Sequence, residues 1–252
     1  MKTTGNTILI TGGGSGIGRG LAEAFHVLGN QVIIAGRRKP ALDEVTAANP
    51  GMTSLSLDVE NPGSIRSFAA QLAKDYPALN VLINNAGIMR PENLQAQPAD
   101  LTDAEAIINT NLLGPIRLTT ALLPLLRKQS GSVIMNVSSG LAFVPLAMTP
   151  AYCATKAAIH SYTQSLRQQF KGTTTSVVEL IPPYVATELM SGGSSNSRAM
   201  PLDKFIAEVM EILKTQPAIA EICVENVRAF RFAAESGRYD ALFQGLNGAA
   251  SH

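Results

Sequence analysis

Short, continuous apolar runs alternate with longer amphipathic segments down the whole chain. The runs at 7–11, 31–35, 53–57, 81–84, 132–137, 176–181 and, more weakly, 219–224 lack the in/out alternation of half-exposed strands. Such runs are the kind buried on both faces of a parallel sheet. The segments 17–28, 40–48, 62–75, 103–128, 152–170 and 202–215 read as helices. Strand and helix in alternation predict an α/β fold: a single-domain, doubly wound, Rossmann-like parallel sheet of about seven strands with helices on both faces. Right-handed crossovers leave a crevice at the carboxyl ends of the strands, where ligands bind. No repeat and no second domain is visible, so 1–252 is expected to form one domain. The polar stretch 191–199 (SGGSSNSRA) interrupts the pattern. A disordered linker is one reading. Its place in mid-fold favours a mobile substrate loop around 184–201 beside the crevice.

Composition narrows the partners. Twenty basic residues face nineteen acidic ones, with no long basic run, which argues against nucleic acid and anionic membranes. Cys153 and Cys223 lie too far apart in sequence for a disulfide framework or ligand cluster, and free thiols in a reducing compartment are expected. The first residues hold no signal-peptide core, and no stretch reaches the length of a membrane span. A cytoplasmic protein is the expectation.

The first strand runs into Thr11-Gly12-Gly13-Gly14-Ser15-Gly16-Ile17-Gly18, and a helix follows. Glycines allow a tight turn and a close backbone approach to a pyrophosphate, and the helix amino terminus offers free N–H donors. Gly18 lets the helix pack against the strand. A plain glycine-rich turn is the alternative, but strand before and helix after favour a dinucleotide site. The Gly-Lys-Ser/Thr ending of a triphosphatase loop is missing, which disfavours a kinase or ATPase.

The loop spacing, Gly-xxx-Gly-x-Gly, resembles that of the short-chain dehydrogenase/reductase family. Further motifs match in order: Asp58-Val59, Asn84-Asn85-Ala86-Gly87, Asn111, Ser139, Tyr152-xxx-Lys156, and Pro182-Pro183-Tyr184-Val185-Ala186-Thr187. Within the family, the segments SSGLAFVP and YCATKAAIH and the Pro-Pro-Tyr variant look most similar to DltE-type oxidoreductases. The resemblance implies a catalytic group of Asn111, Ser139, Tyr152 and Lys156. It implies cofactor contacts from Gly12, Ser15, Gly16, Ile17, Gly18, Asp58, Val59, Asn85, Ala86, Gly87, Tyr152, Lys156, Val185 and Thr187. Lys156 would hydrogen-bond the nicotinamide ribose. Asn111 would sit at a helix irregularity and hold a water leading from Lys156 to solvent. Pro183 stands where the family usually has Gly, removing an N–H and fixing φ, so the loop carrying Val185 and Thr187 is expected to take its own path.

Tyr152 and Lys156 are four apart and share one helix face. A phenol titrates near ~10, and a neighbouring ammonium is expected to lower that value. Tyr152 can then exchange a proton with a substrate oxygen while hydride moves at the adjacent carbon. Ser139 would donate to the developing alkoxide. A surface Tyr–Lys pair is the bland alternative. Extended backbone would point Ser138 and Ser139 to opposite sides. His160 has no second metal ligand near it in sequence and reads as packing or surface, and Cys153 reads as core; no metal is expected. The apolar stretch 140–146 either lines the substrate pocket or supports it.

Cofactor choice is set at the end of the second strand. Ala35-Gly36-Arg37-Arg38 has no carboxylate for a ribose hydroxyl, and guanidinium suits a 2′-phosphate. Arg37 is therefore read as a cofactor contact selecting NADP, with NAD possible and a solvated loop charge as the alternative. The expected activity is hydride transfer between nicotinamide and a small-molecule carbonyl or alcohol. The competing reading is a non-catalytic, dinucleotide-sensing binding protein, which would be expected to lose some of Asn111, Ser139, Tyr152 and Lys156; all are present. Apolar surface on the helices 103–128 and 152–170 predicts a homodimer or homotetramer.

Overall fold

The computed structural model describes residues 1–95, 100–190, 192–193 and 196–248. Within them lie strands β1 (Thr7–Thr11), β2 (Gln31–Gly36), β3 (Thr53–Ser56), β4 (Val81–Asn84), β5 (Ser132–Val137), β6 (Thr175–Ile181) and β7 (Glu221–Cys223). They form one parallel sheet in the order β3-β2-β1-β4-β5-β6-β7. The order reverses between β1 and β4, which places the crevice at their carboxyl ends.

Helices α1 (Gly16–Val27), α2 (Lys39–Ala48), α3 (Pro62–Asp75), α4 (Thr102–Ile108), α5 (Gly114–Leu126), α6 (Pro150–Gln169) and α7 (Leu202–Thr215) connect the strands. Both sheet faces are covered. Ile8, Ile10, Val32 and Ile34 pack with Leu21 and Phe25 of α1 and Phe205 and Val209 of α7. The intervening Leu9, Ile33 and Ala35 pack with Phe68 and Leu72 of α3 and Leu118 and Leu122 of α5. Successive strand residues point to opposite faces, so two apolar faces require continuous apolar runs.

The segment 103–128 is not the single helix its periodicity predicts. A five-residue π-helical turn, Asn109–Leu113, separates α4 from α5. Pro115 supplies the reason: it has no N–H to return to the carbonyl of Asn111 four residues earlier. Helix α6 starts two residues before the expected Tyr152, with Pro150 in its first turn, where the missing N–H costs nothing. Two C-terminal helices, α8 (Glu225–Arg231) and α9 (Tyr239–Gly248), were not expected from the pattern; α9 buries none of its residues, although Tyr239, Leu242, Phe243 and Leu246 recur at helical spacing.

The expected mobile loop includes positions 191, 194 and 195, which lie outside the described residues. Its base is tied: Val185 bridges Met200, Ala186 N–H donates to the Met200 carbonyl at 2.9 Å, and Met200 N–H donates to that of Tyr184 at 2.8 Å.

One polar row crosses the sheet. Asn84, Asn136, Glu179 and Glu221 are register partners on β4, β5, β6 and β7. Asn84 donates to Asn136 Oδ1 (2.8 Å) and to Thr119 of α5 (3.0 Å), and Asn136 donates to Thr163 of α6 (2.9 Å). These bonds anchor α5 and α6 to the sheet from inside, where an unpaired amide would be costly.

Candidate active site

The glycine loop joins β1 to α1. Gly12 has φ +69°, and a Cβ there would stand 2.9 Å from the Ala86 backbone. A Cβ on Gly18 would stand 2.3 Å from the Gly12 carbonyl oxygen, so the helix can approach the loop only without a side chain. Ser15 precedes α1 in extended conformation and its side chain does not cap the helix; no acidic residue occupies the first turn. The first amides therefore remain available to an anion, and these donors fit a dinucleotide pyrophosphate. Ile17 packs against the core behind them.

The segment after β4 is tied to this loop. Asn85 and Ala86 N–H both donate to Thr11 Oγ1 at 3.0 Å, and Asn85 Nδ2 donates to the Thr11 carbonyl at 2.9 Å. Gly87 faces Asn111, whose Oδ1 would be 3.3 Å from a Cβ at that position. Thr187 lies against Gly16 across the crevice, 3.3 Å from where a Cβ would be. Asp58 accepts from the Glu60 N–H (3.0 Å), and Val59 is buried against Gly114. The two arginines after β2 diverge. Arg37 pairs with Glu60 at 2.6 Å, whereas Arg38 donates to Ser15 Oγ at 2.8 Å, directly at the glycine loop.

The structure brings Ser139, Tyr152 and Lys156 together. Tyr152 and Lys156 are both buried on the inner face of α6, with Lys156 Nζ 5.5 Å from the Tyr152 ring centroid. Lys156 donates to the Val137 carbonyl at 2.8 Å, pinning α6 to the end of β5. Ser139 lies close enough to the Tyr152 hydroxyl to act on its titration, and Ser139 Oγ accepts from the Leu141 N–H at 3.1 Å. Asn111 lies in the π-helical turn, where the resemblance implied an irregularity. Its side chain brackets Ile88, donating to the carbonyl (2.8 Å) and accepting from the N–H (2.9 Å), and reaches Thr155 of α6 at 3.4 Å.

The electrostatics differ from the expected lowering of the phenol. Burial pushes the Tyr152 phenol well above its ordinary value, and the hydrogen bond from Ser139 opposes this only in part. Burial also pushes Lys156 down to about 8, against the opposing charge of Glu179. Desolvation is the largest influence on both groups. The protein by itself presents a protonated phenol beside a lysine that is still charged at neutral pH, an arrangement able to donate a proton.

Sequence reasoning missed Glu179. This carboxylate is fully buried on β6, accepts from Ser138 Oγ at 2.5 Å and pairs with His160 Nδ1 at 2.8 Å. The available signal was a lone acid inside the apolar run Val177-Val178-Glu179-Leu180-Ile181. His160 is therefore neither lone nor simply packed: Glu179 and Glu221 bring ligand atoms within 4.8 Å of it and of each other. Arg231 engages Glu221 at 2.7 Å, which makes the group an ion-pair network. Phe143 sits in that network, with its ring edge-on to His160 (centroids 4.7 Å apart) and beneath the Arg231 guanidinium (4.8 Å). Within 140–146 it thus supports the site from behind, while Leu141 and Leu146 pack in the cluster that holds Tyr152 and Cys153. Cys153 is buried, as expected of a core thiol.

A parallel sheet with a glycine loop at its switch point and a buried Ser–Tyr–Lys group beside it defines a dinucleotide-fold oxidoreductase. The sequence profile described as short chain dehydrogenase matches residues 6–197, and the chain belongs to that family. The uncharacterized oxidoreductase DltE of Bacillus subtilis (strain 168) is 38% identical over 251 residues, covering 98% of each chain. Among solved structures, the closed form of serine dehydrogenase complexed with NADP+ is 28% identical with a TM-score of 0.76, over 85% of this chain and 92% of that one. A short-chain dehydrogenase from Streptomyces avermitilis is 25% identical with a TM-score of 0.81, over 99% of this chain and 100% of that one. Among the described residues, no helix is long and apolar enough to cross a membrane.

The lysine gives a stability test. Its folded value of about 8 lies below its ordinary 10.5, so burying its charge costs stability fully below pH 8, and the cost fades as pH rises toward 10.5. Lys156→Met removes this cost. Its unfolding free energy relative to wild type should therefore fall by about 2 kcal/mol between pH 7 and pH 10. Urea denaturation of both proteins at the two pH values measures this, and a pH-independent difference would contradict the buried charge.

Proposed function

We propose that the protein is an NADP-preferring oxidoreductase of small-molecule carbonyls and alcohols, with Tyr152 as general acid in reduction and, with the proton running back, general base in oxidation. One observation carries the reading: Tyr152 is buried together with Ser139 and Lys156, in a fold whose glycine loop leaves the amino terminus of α1 uncapped. The bound dinucleotide supplies or accepts the hydride. Tyr152 gives its proton to the substrate oxygen as that oxygen gains charge. Ser139 lies on the same side as the phenol and donates to the developing alkoxide. The Lys156 ammonium stabilises the phenolate left behind and reaches the ribose, while Asn111 holds the 88 backbone and Thr155 in place and carries the water that reloads the proton. Gly12, Ser15, Gly16, Ile17 and Gly18 receive the pyrophosphate; Asp58, Val59, Asn85, Ala86 and Gly87 line the adenosine side, and Val185 and Thr187 the nicotinamide side.

NADP rests on Arg37 and Arg38, with no carboxylate at Gly36, and on the NADP+ carried by the similar serine dehydrogenase. Arg37 must exchange Glu60 for the 2′-phosphate, whereas Arg38 already points to the loop. Arg37→Asp should weaken NADP at least about tenfold more than NAD, the loss of one charge-assisted pair. Calorimetric titration of both dinucleotides decides this, and an unchanged affinity ratio would remove Arg37 from the site.

The proton donor is tested by Tyr152→Phe, which keeps the ring. With a substrate found by screening aldehydes, ketones and secondary alcohols, turnover should fall ~10²–10⁴-fold while dinucleotide affinity is retained. Turnover near wild type would sink the mechanism.

A further inference from the structure

Behind the reacting groups lies a carboxylate that the mechanism so far does not use. Glu179 is fully buried in mid-strand, and an acid is kept there only if its partners offset the loss of water. The groups facing it come from every neighbouring element. From β5, Ser138 Oγ donates to Oε1 at 2.5 Å. From α6, His160 Nδ1 meets both oxygens, at 2.8 and 3.1 Å, and the charge of Lys156, one turn earlier on the same face, is felt across the interior. From β7, Glu221 is its register partner, and the Cys223 thiol senses its charge. From α8, Arg231 is committed to Glu221 at 2.7 Å and to Glu235 at 2.9 Å. Among the described residues, the nitrogen left in contact with Glu179 is therefore His160 Nδ1, with the Lys156 charge acting from further off.

The latch on Ser138 bears directly on Ser139. The backbone stays extended past the end of β5, with Ser139 at φ −169° and ψ 156°. Successive side chains there point to opposite sides. Ser138 turns to Glu179 and Ser139 to Tyr152. The segment is fixed on β6 by Ser138 N–H to the Leu180 carbonyl and Gly140 N–H to the Pro182 carbonyl, both 2.9 Å. Without the bond to Glu179, Ser138 Oγ keeps only the longer contact to the Leu180 carbonyl at 3.5 Å.

We propose that Glu179 is a positioning residue for the proposed oxidoreductase reaction: through its bond to Ser138 it holds the turn that carries Ser139 beside Tyr152, and its buried carboxylate is the counter-charge to the buried Lys156 ammonium. It touches no reacting atom. This role rests on the function proposed above, but its electrostatic half is a property of the protein alone.

The test uses full-length protein with 13C-labelled lysine side chains, Lys156 being assigned from Lys156→Met. In Glu179→Gln, which keeps the shape and an acceptor for Ser138 but removes the charge, the Lys156 titration should move down by about half a pH unit or more. The alkaline fall of kcat/KM should move down with it. Ser138→Ala keeps the charge and loses the latch: kcat should drop several-fold at every pH, with the alkaline limb unmoved. A Lys156 titration unchanged in Glu179→Gln, or a loss of rate equal at all pH values, overturns the proposal. If Glu179→Gln does not fold, an unaltered kcat in Ser138→Ala overturns it instead. Absence of turnover in the wild type would sink the oxidoreductase reading, and the lysine titration would still decide the role of Glu179.

Discussion

An ammonium group taken out of water costs several kilocalories per mole unless other groups offset the loss, and Lys156 is buried with a hydrogen bond to the Val137 carbonyl. Much of the site can be read as the protein's answer to that cost. The bond to Val137 fixes the height of α6 on the sheet, which sets Tyr152 against Ser139. The internal amide chain from Asn84 through Asn136 to Thr163 holds the same helix further along. Glu179, next in that row, supplies opposing charge. Burial then acts oppositely on the two ionisable groups: it holds the phenol neutral and leaves the lysine only just charged near neutrality. A neutral phenol beside a cation is primed to give up a proton when negative charge develops on a substrate oxygen, which is the requirement of carbonyl reduction.

The sheet was legible because its strands are apolar on both faces, as Ile8, Leu9 and Ile10 show by packing alternately on opposite sides. The glycine loop was legible because strand and helix flank it. Short-range signals carried Tyr152 and Lys156 onto one helix face. What stayed hidden depends on register or on local backbone competition. The π-helical turn at Asn109–Leu113 lies inside a continuous helical pattern; Pro115 is its local mark, and only the resemblance placed an irregularity at Asn111. The polar row from Asn84 to Glu221 exists only once four strands align, so neither the partner of His160 nor the task of Glu179 could be read from spacing. The direction of the phenol shift was misjudged for the same reason: sequence shows the charged neighbour but not the depth of burial. Arg37 and Arg38 are adjacent letters, yet one is drawn to Glu60 and the other to Ser15.

Glu179 links the polar row of the sheet to the serine turn after β5. Its row-mates anchor the helix, its own hydrogen bonds reach Ser138 and His160, and its charge acts on Lys156 from a distance. Phe143, between His160 and Arg231, closes the rear of that network, while Leu141, Leu146, Ile88 and Met89 pack around Tyr152 and Cys153.

The central claim is that burial, not the neighbouring ammonium, sets the resting state of Tyr152. Its most direct test is a spectrophotometric titration of phenolate in the dinucleotide-free protein, taken as wild type minus Tyr152→Phe, with both followed by circular dichroism to confirm folding. The account predicts no phenolate in the difference spectrum up to the ordinary tyrosine value of about 10. Phenolate absorbance appearing in the difference spectrum below that pH would contradict it.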